Sequence, residues 1–128
     1  MEKPTYYKST LDTIIRQKIS RNKKADEEKG REYDLDDYIT PDFIKNKLIK
    51  YNNTCRRCGK GLKLTGYGFR DPDQFSVDRI LDHLPHIRAN CQVVCWLCNK
   101  DRATKKLKLT EYEKCKVDLM IKKGLVKK

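Results

Sequence analysis

A chain of 128 residues is the size of one domain, and with 38% hydrophobic against 38% charged residues it can bury only a modest core. Its net charge of +12 and pI near 9.5 suit a polyanionic partner, because each Lys or Arg set on a phosphate releases condensed counterions; such charge also keeps a surface self-repelling and soluble. No apolar run approaches the roughly 18 residues of a membrane span and no basic-then-apolar leader opens the chain, so the expectation is a soluble, intracellular protein that associates with nucleic acid and not with membranes.

Behind Tyr6 and Tyr7, a helix is predicted from about Ser9 or Thr10, with Leu11, Ile14, Ile15 and Ile19 at helical spacing. Its far end, Arg21 to Lys24 and the mixed charges up to Arg31, reads as a solvated helix end or loop, with phosphate contact as the alternative. Residues 31–42 carry five acids against one Arg31. Their spacing matches no calcium loop, so they read as a solvated loop that complements a helix N-terminus. Thr40-Pro41 supplies an N-cap followed by proline at the first helical position. The helix it opens runs to about Tyr51, places Phe43, Ile44, Leu48 and Tyr51 on one face, and is broken by Asn52-Asn53.

Cys55-Arg-Arg-Cys58-Gly-Lys-Gly61 follows, a metal-knuckle pattern in which glycines allow the turn that points backbone amides at sulfur. Leu62 to Phe69 is expected to be an irregular strand, and Asp71-Pro-Asp73 a turn. Phe75, Val77, Ile80 and Leu81 make a strand that carries Asp78; Cys91 to Val94 make a second, with His83, Pro85 and His86 between them. A helix begins near Cys95 or Trp96 and carries Asn99 and Arg102 on neighbouring turns. Thr110 and Glu113 form a capping box for a last helix with Tyr112, Val117, Leu119, Met120 and Ile121, ending before Gly124. From Asn99 onward eleven Lys or Arg stand against four acids, the most basic region of the chain.

Two Cys-x-x-Cys pairs in a reducing compartment favour metal over disulfides. Cys55, Cys58, Cys95 and Cys98 are therefore the predicted ligands of one structural Zn²⁺, with Asp78, Asn90 and Asn99 converging beside it. Cys91 reads as a small core residue, Cys115 as a free thiol, and Trp96 as packing over the metal loop or hairpin. The fold class is α+β in one globular domain. It comprises a helical N-terminal extension over 1–53, a zinc-braced hairpin and helix over 54–109, and a basic C-terminal helix and tail over 110–128.

Residues 54–103 resemble the HNH endonuclease family, whose ββα-metal hairpin and helix are often braced by two Cys-x-x-Cys pairs. The residues that carry the resemblance are Asp78-Arg79-Ile80, His86, Asn90, Val94-Cys95-Trp96-Leu97-Cys98-Asn99 and Arg102. The resemblance implies phosphodiester hydrolysis in DNA, most simply in a duplex entered by the minor groove. It makes Asp78 and Asn99 ligands of a catalytic Mg²⁺ or Mn²⁺, and Asn90 the residue that holds the loop and orients the base. Arg102 is implied as a phosphate contact. A carboxylate and an amide oxygen suit a hard cation that must keep sites open for phosphate and water.

The sequence departs from that pattern at Arg79, which stands where such enzymes carry the histidine that activates water. Arginine stays protonated and cannot act as a general base. Either His86 (or His83) reaches the water instead, or Arg79 stabilises the charged phosphorane without a protein base. His86 also has a plain packing or hydrogen-bonding role open to it, and His83 a surface one. The alternative function is a catalytically silent, zinc-braced nucleic-acid-binding protein on the same scaffold, and a third is a zinc-organised protein-interaction module. The residues expected to meet nucleic acid are Arg79, Arg88, Lys100, Arg102, Lys105 and Lys106.

Overall fold

The structure is a computed structural model, and it describes residues 10–105 and 108–126. The first helix, α1 (Leu11–Glu28), starts where expected: the Thr10 hydroxyl accepts the Thr13 N–H at 3.2 Å. It puts Ile14, Ile15 and Ile19 into the core. The segment after Arg21 is a largely exposed helix end that runs through Glu28, but Asp26 on it is fully buried. Positions 15, 19 and 26 recur at helical spacing, so one stripe carries two isoleucines and an aspartate to the same side.

The acidic segment forms a one-turn 3-10 helix (Leu35–Asp37) capped by Asp34, and then sends Tyr38 and Ile39 into the core. Helix α2 (Pro41–Lys50) follows, capped by Thr40, whose hydroxyl accepts the Phe43 N–H at 3.1 Å. It buries Ile44 and Leu48. Asn52 and Asn53 end it in the left-handed region, at φ 53° and 56°, a conformation that asparagine tolerates better than most side chains.

Leu62 to Phe69 is not a strand. Single bridges join Thr54 to Gly61 and Lys63 to Gln74, and beyond them the chain is irregular. Gly66 has φ 71° and Arg70 φ 61°, which breaks the extended path that a ladder requires.

Strands β1 (Phe75–Arg79) and β2 (Cys91–Cys95) pair antiparallel with Val77 opposite Val93 and Asp78 opposite Gln92. Because side chains alternate along a strand, Phe75, Val77, Cys91 and Val93 share one face and join the isoleucines of α1 and the apolar face of α2 in the core. Ser76, Asp78, Gln92 and Val94 share the other. Leu81 lies outside the ladder, which stops at Arg79; one further bond runs from the Ile80 N–H to the Asn90 carbonyl, 2.8 Å.

Helix α3 (Trp96–Lys105) leaves β2 directly, and its first amides, Trp96 and Leu97, donate to the carbonyls of Gln74 and Pro72 at 2.8 and 3.2 Å. The 71–74 turn thus satisfies a helix start that has no side-chain cap. Helix α4 (Glu111–Lys122) opens with both halves of the Thr110–Glu113 capping box. Its buried residues are Met120 and, unexpectedly, Glu113, while Leu119 is half exposed, so the apolar face is narrower than the sequence suggests. The result is a small α+β protein: among the described residues, four α-helices surround one hairpin, with a four-cysteine cluster joining hairpin and helix. Among the described residues no helix is long and apolar enough to cross a membrane. Tyr6, Tyr7 and Lys106 lie outside the described residues.

Candidate functional site

The four expected cysteines come together. The sulfurs of Cys55, Cys58, Cys95 and Cys98 all lie within 4.8 Å of one another, with Cys58 and Cys95 at 3.9 Å. A Zn–S bond of about 2.3 Å sets the sulfurs of a tetrahedron about 3.8 Å apart, so the cluster has the size to hold one Zn²⁺. Amides point at the sulfurs as a thiolate prefers: Arg57 and Cys58 donate to Cys55 Sγ at 3.3 and 3.4 Å, and Cys98 to Cys95 Sγ at 3.4 Å. Gly59, at φ 80°, makes the turn after the first pair. Cys91 is buried in the apolar core away from this cluster, and Cys115 is exposed.

The knuckle is tied to α4 through an arginine that sequence reading left without a role. Arg57 donates to both oxygens of Glu113, at 2.6 and 2.7 Å, and to the Lys108 carbonyl at 3.2 Å. Glu113 also accepts from Gln92 Nε2 and, at 3.1 Å, from Arg102. Gln92 Nε2 and Arg102 reach Asp78 Oδ2 as well, at 3.0 and 3.3 Å. A buried polar chain therefore runs from the metal loop to Asp78. Burial would raise the Glu113 carboxyl, but the Thr110 amide, Gln92, Arg57 and Arg102 hold it below its usual value. Burial dominates at Asp78, pushing it up to about 6 against Gln92 and Arg102.

Asn90 is fully buried and staples the hairpin loop. Its Oδ1 accepts the Leu81 N–H at 2.9 Å, and its Nδ2 donates to the carbonyls of Leu81 and Pro85 at 3.0 and 3.2 Å. Arg79 holds the same loop, donating to the carbonyls of Asp82 and, at 3.3 Å, Leu84. His83 is on the loop surface.

Beside this loop lies a cleft of about 310 Å³ whose wall includes Ser76, Asp78, Arg79, His86, Asn99 and Arg102 from the hairpin and α3, and Lys18, Arg21 and Arg31 from α1 and its end. Asp78, Asn99 and His86 each keep one atom that makes no hydrogen bond among the described residues. Asp78 spends Oδ2 inward, leaving Oδ1; Asn99 donates Nδ2 to Ser76 Oγ at 2.7 Å, leaving its Oδ1. His86 spends Nδ1 on Asp26 Oδ2 at 2.9 Å, leaving Nε2. One carboxylate and one amide oxygen on a common wall are a donor set that fits a hard cation.

Asp26 is the residue that sequence reading missed most completely. It accepts from Tyr38 Oη at 2.6 Å, Arg31 Nε at 2.7 Å, and both the backbone N–H and Nδ1 of His86 at 3.0 and 2.9 Å. Burial opposes its charge, and those four donors overcome it, holding Asp26 at about 2. His86 is moved down from the usual histidine range by burial, although Asp26 pulls it the other way, so its neutral form predominates at neutral pH with the Nδ1 proton directed to Asp26.

The sign of the Asp26 shift fixes a pH dependence. A carboxylate held lower in the folded than in the unfolded chain contributes stability that is present above about pH 4 and is lost as pH falls toward 2. The amount is on the order of 2 kcal/mol. Chemical denaturation between pH 5 and 2 is expected to show this loss, and Asp26→Asn to remove that part of the slope; an unchanged slope in the variant would assign the acid sensitivity elsewhere.

The remaining expected contacts divide. Lys100 and Lys105 are exposed on α3. Arg102 is largely buried, its guanidinium engaged by Asp78, Glu113 and the Ile80 carbonyl. Arg88 points away from the cleft, donating to the carbonyls of Tyr38 and Asp36 at 2.8 and 2.5 Å. Comparison of the chain with protein-family models, with curated proteins and with solved structures finds no match.

Proposed function

We propose that this protein is an HNH-like, metal-dependent endonuclease that hydrolyses phosphodiester bonds in DNA. The observation that carries the reading is one basic cleft in which Asp78, His86 and Asn99, the residues implied by the resemblance, share a wall with Lys18, Arg21 and Arg31. In this reading Cys55, Cys58, Cys95 and Cys98 hold a structural Zn²⁺, and Asp78 and Asn99 hold Mg²⁺ or Mn²⁺, whose charge supplies Lewis-acid stabilisation of the phosphate. His86 is the general base: Asp26 accepts a hydrogen bond from its Nδ1–H, which leaves Nε2 to accept the proton of the attacking water. Asp26 is then a positioning residue. Arg79 is a fixed positive charge at the cleft wall, and with Asn90 it holds the loop that carries His86. Arg102 orients Asp78, which leaves phosphate contact to Lys18, Arg21, Lys100 and Lys105.

Supercoiled plasmid incubated with the protein and Mg²⁺ or Mn²⁺ tests the reading. Nicking that a chelator of the added ion abolishes supports it. No nicking with any divalent ion, together with intact duplex binding, supports the second reading, a silent nucleic-acid-binding protein, which Arg79 at the usual base position favours. Duplex binding itself is expected to be strongly salt-dependent. With six phosphate contacts, affinity falls about a thousandfold between about 50 and 200 mM salt, and a constant affinity over that range would remove nucleic acid as the partner.

A further inference from the structure

Next to the cleft, and sharing Lys18 and Arg21 with it, runs a second groove of about 510 Å³ between α1 and the 66–70 loop. Tyr67, Phe69 and Trp96 line it together with Lys18, Arg21 and Arg70, and no acid does. Phe69 is 89% exposed, far more than a core aromatic of a small protein, and the Arg70 guanidinium lies over its ring at 4.8 Å. Lys18 sits over the Phe75 ring at 4.8 Å and the Tyr67 ring at 5.5 Å. Its burial lowers it to about 8, so an anion beside it stabilises its charged form.

An exposed aromatic ring flanked by cations, with half-buried Tyr67 and Trp96 beside it, is a surface on which an unpaired base stacks while its phosphate is neutralised. A paired base keeps its faces inside the duplex stack and offers none to Phe69. We infer that this groove binds unpaired nucleotides of a DNA strand whose neighbouring phosphate lies in the cleft, so that the preferred substrate is a junction of duplex and single strand. The inference rests on the nucleic-acid reading of the cleft. Continuity supplies the geometry: a strand leaving the cleft along Lys18 and Arg21 runs directly onto the aromatic groove.

The test measures binding of a fully paired duplex and of the same duplex with an unpaired tail of several thymidines, at one salt concentration. The tailed form is expected to bind about tenfold more tightly, the effect of one stacked base. Phe69→Ala, a change at a solvent-exposed side chain, is expected to erase that preference while leaving duplex affinity in place, and Phe69→Trp to retain it. A 2-aminopurine in the tail is expected to be quenched by the parent and not by Phe69→Ala. Equal affinity for both forms, or a preference that survives Phe69→Ala, overturns the groove assignment and leaves the cleft reading standing. Failure to bind either form overturns both.

Discussion

Removal of a metal from the four-cysteine cluster, or replacement of one of those cysteines, is expected to unfold this protein. The apolar core is small, and Cys95 is fully buried at the point where β2 passes into α3. A metal held by Cys55, Cys58, Cys95 and Cys98 would clamp the 55–58 loop to that point, and Arg57 within the loop carries the connection on to Glu113 of α4. Structural zinc binds small domains with roughly 10 to 16 kcal/mol, as much as or more than the roughly 5 to 15 kcal/mol net stability of a typical domain. Elemental analysis is expected to find a single zinc per chain. A strong chelator, or Cys95→Ser, is expected to abolish the cooperative thermal transition, whereas Cys115→Ser at an exposed position changes neither zinc content nor melting. A zinc-free preparation that melts cooperatively, or a Cys58→Ser protein that melts like the parent, would contradict this.

Cleavage is expected to fall about 10²- to 10⁴-fold in His86→Ala, the range that a positioned general base contributes. His86 is buried, so zinc content, melting and duplex affinity must be followed in the same variant to separate chemistry from folding. The pH profile adds a readout that packing alone does not move. Because burial lowers His86, the parent rate is expected to rise with pH through a midpoint below the usual histidine value, to which Asp78, pushed up to about 6, also contributes. Asp26→Asn is expected to displace that midpoint. Arg79→His places a second imidazole at the position where the resembled family keeps its base. Asn90 still holds the loop in that variant, so the rate is expected to rise. If His86→Ala cuts at the parent rate with the parent pH profile, His86 is a packing residue and the base lies elsewhere.

The parts of this architecture that were legible in the sequence are those set by short-range pattern. Thr40-Pro41 and the Thr110–Glu113 box specify helix starts within four residues, and each cysteine pair carries its own turn. The buried polar links were not legible, because their partners are distant: His86 and Asp26 are 60 residues apart, and Arg57 and Glu113 are 56 apart. A local signal for Asp26 did exist. It stands seven residues after Ile19 on the stripe that also holds Ile15, and extending the first helix to Glu28 would have turned a surface charge into a buried one needing partners. Glu113 was recognised as a cap, but its carboxylate also anchors Arg57, Gln92 and Arg102. Leu62 to Phe69 reads in sequence as an irregular strand, but the glycines and the left-handed Arg70 make a loop that displays Phe69.

The most direct test of the nuclease reading is single-turnover nicking of supercoiled plasmid in Mn²⁺ by the parent and Asp78→Ala proteins, purified identically and matched for zinc content. Asp78 is not among the four cysteine ligands, and it lines the cleft with its Oδ1 free of hydrogen bonds among the described residues. The expected result is chelator-sensitive nicking by the parent and none by Asp78→Ala, with zinc content and duplex affinity nearly unchanged and Asn99→Ala behaving similarly. Metal-dependent cutting that persists unchanged in Asp78→Ala would contradict it and assign the activity to a contaminant.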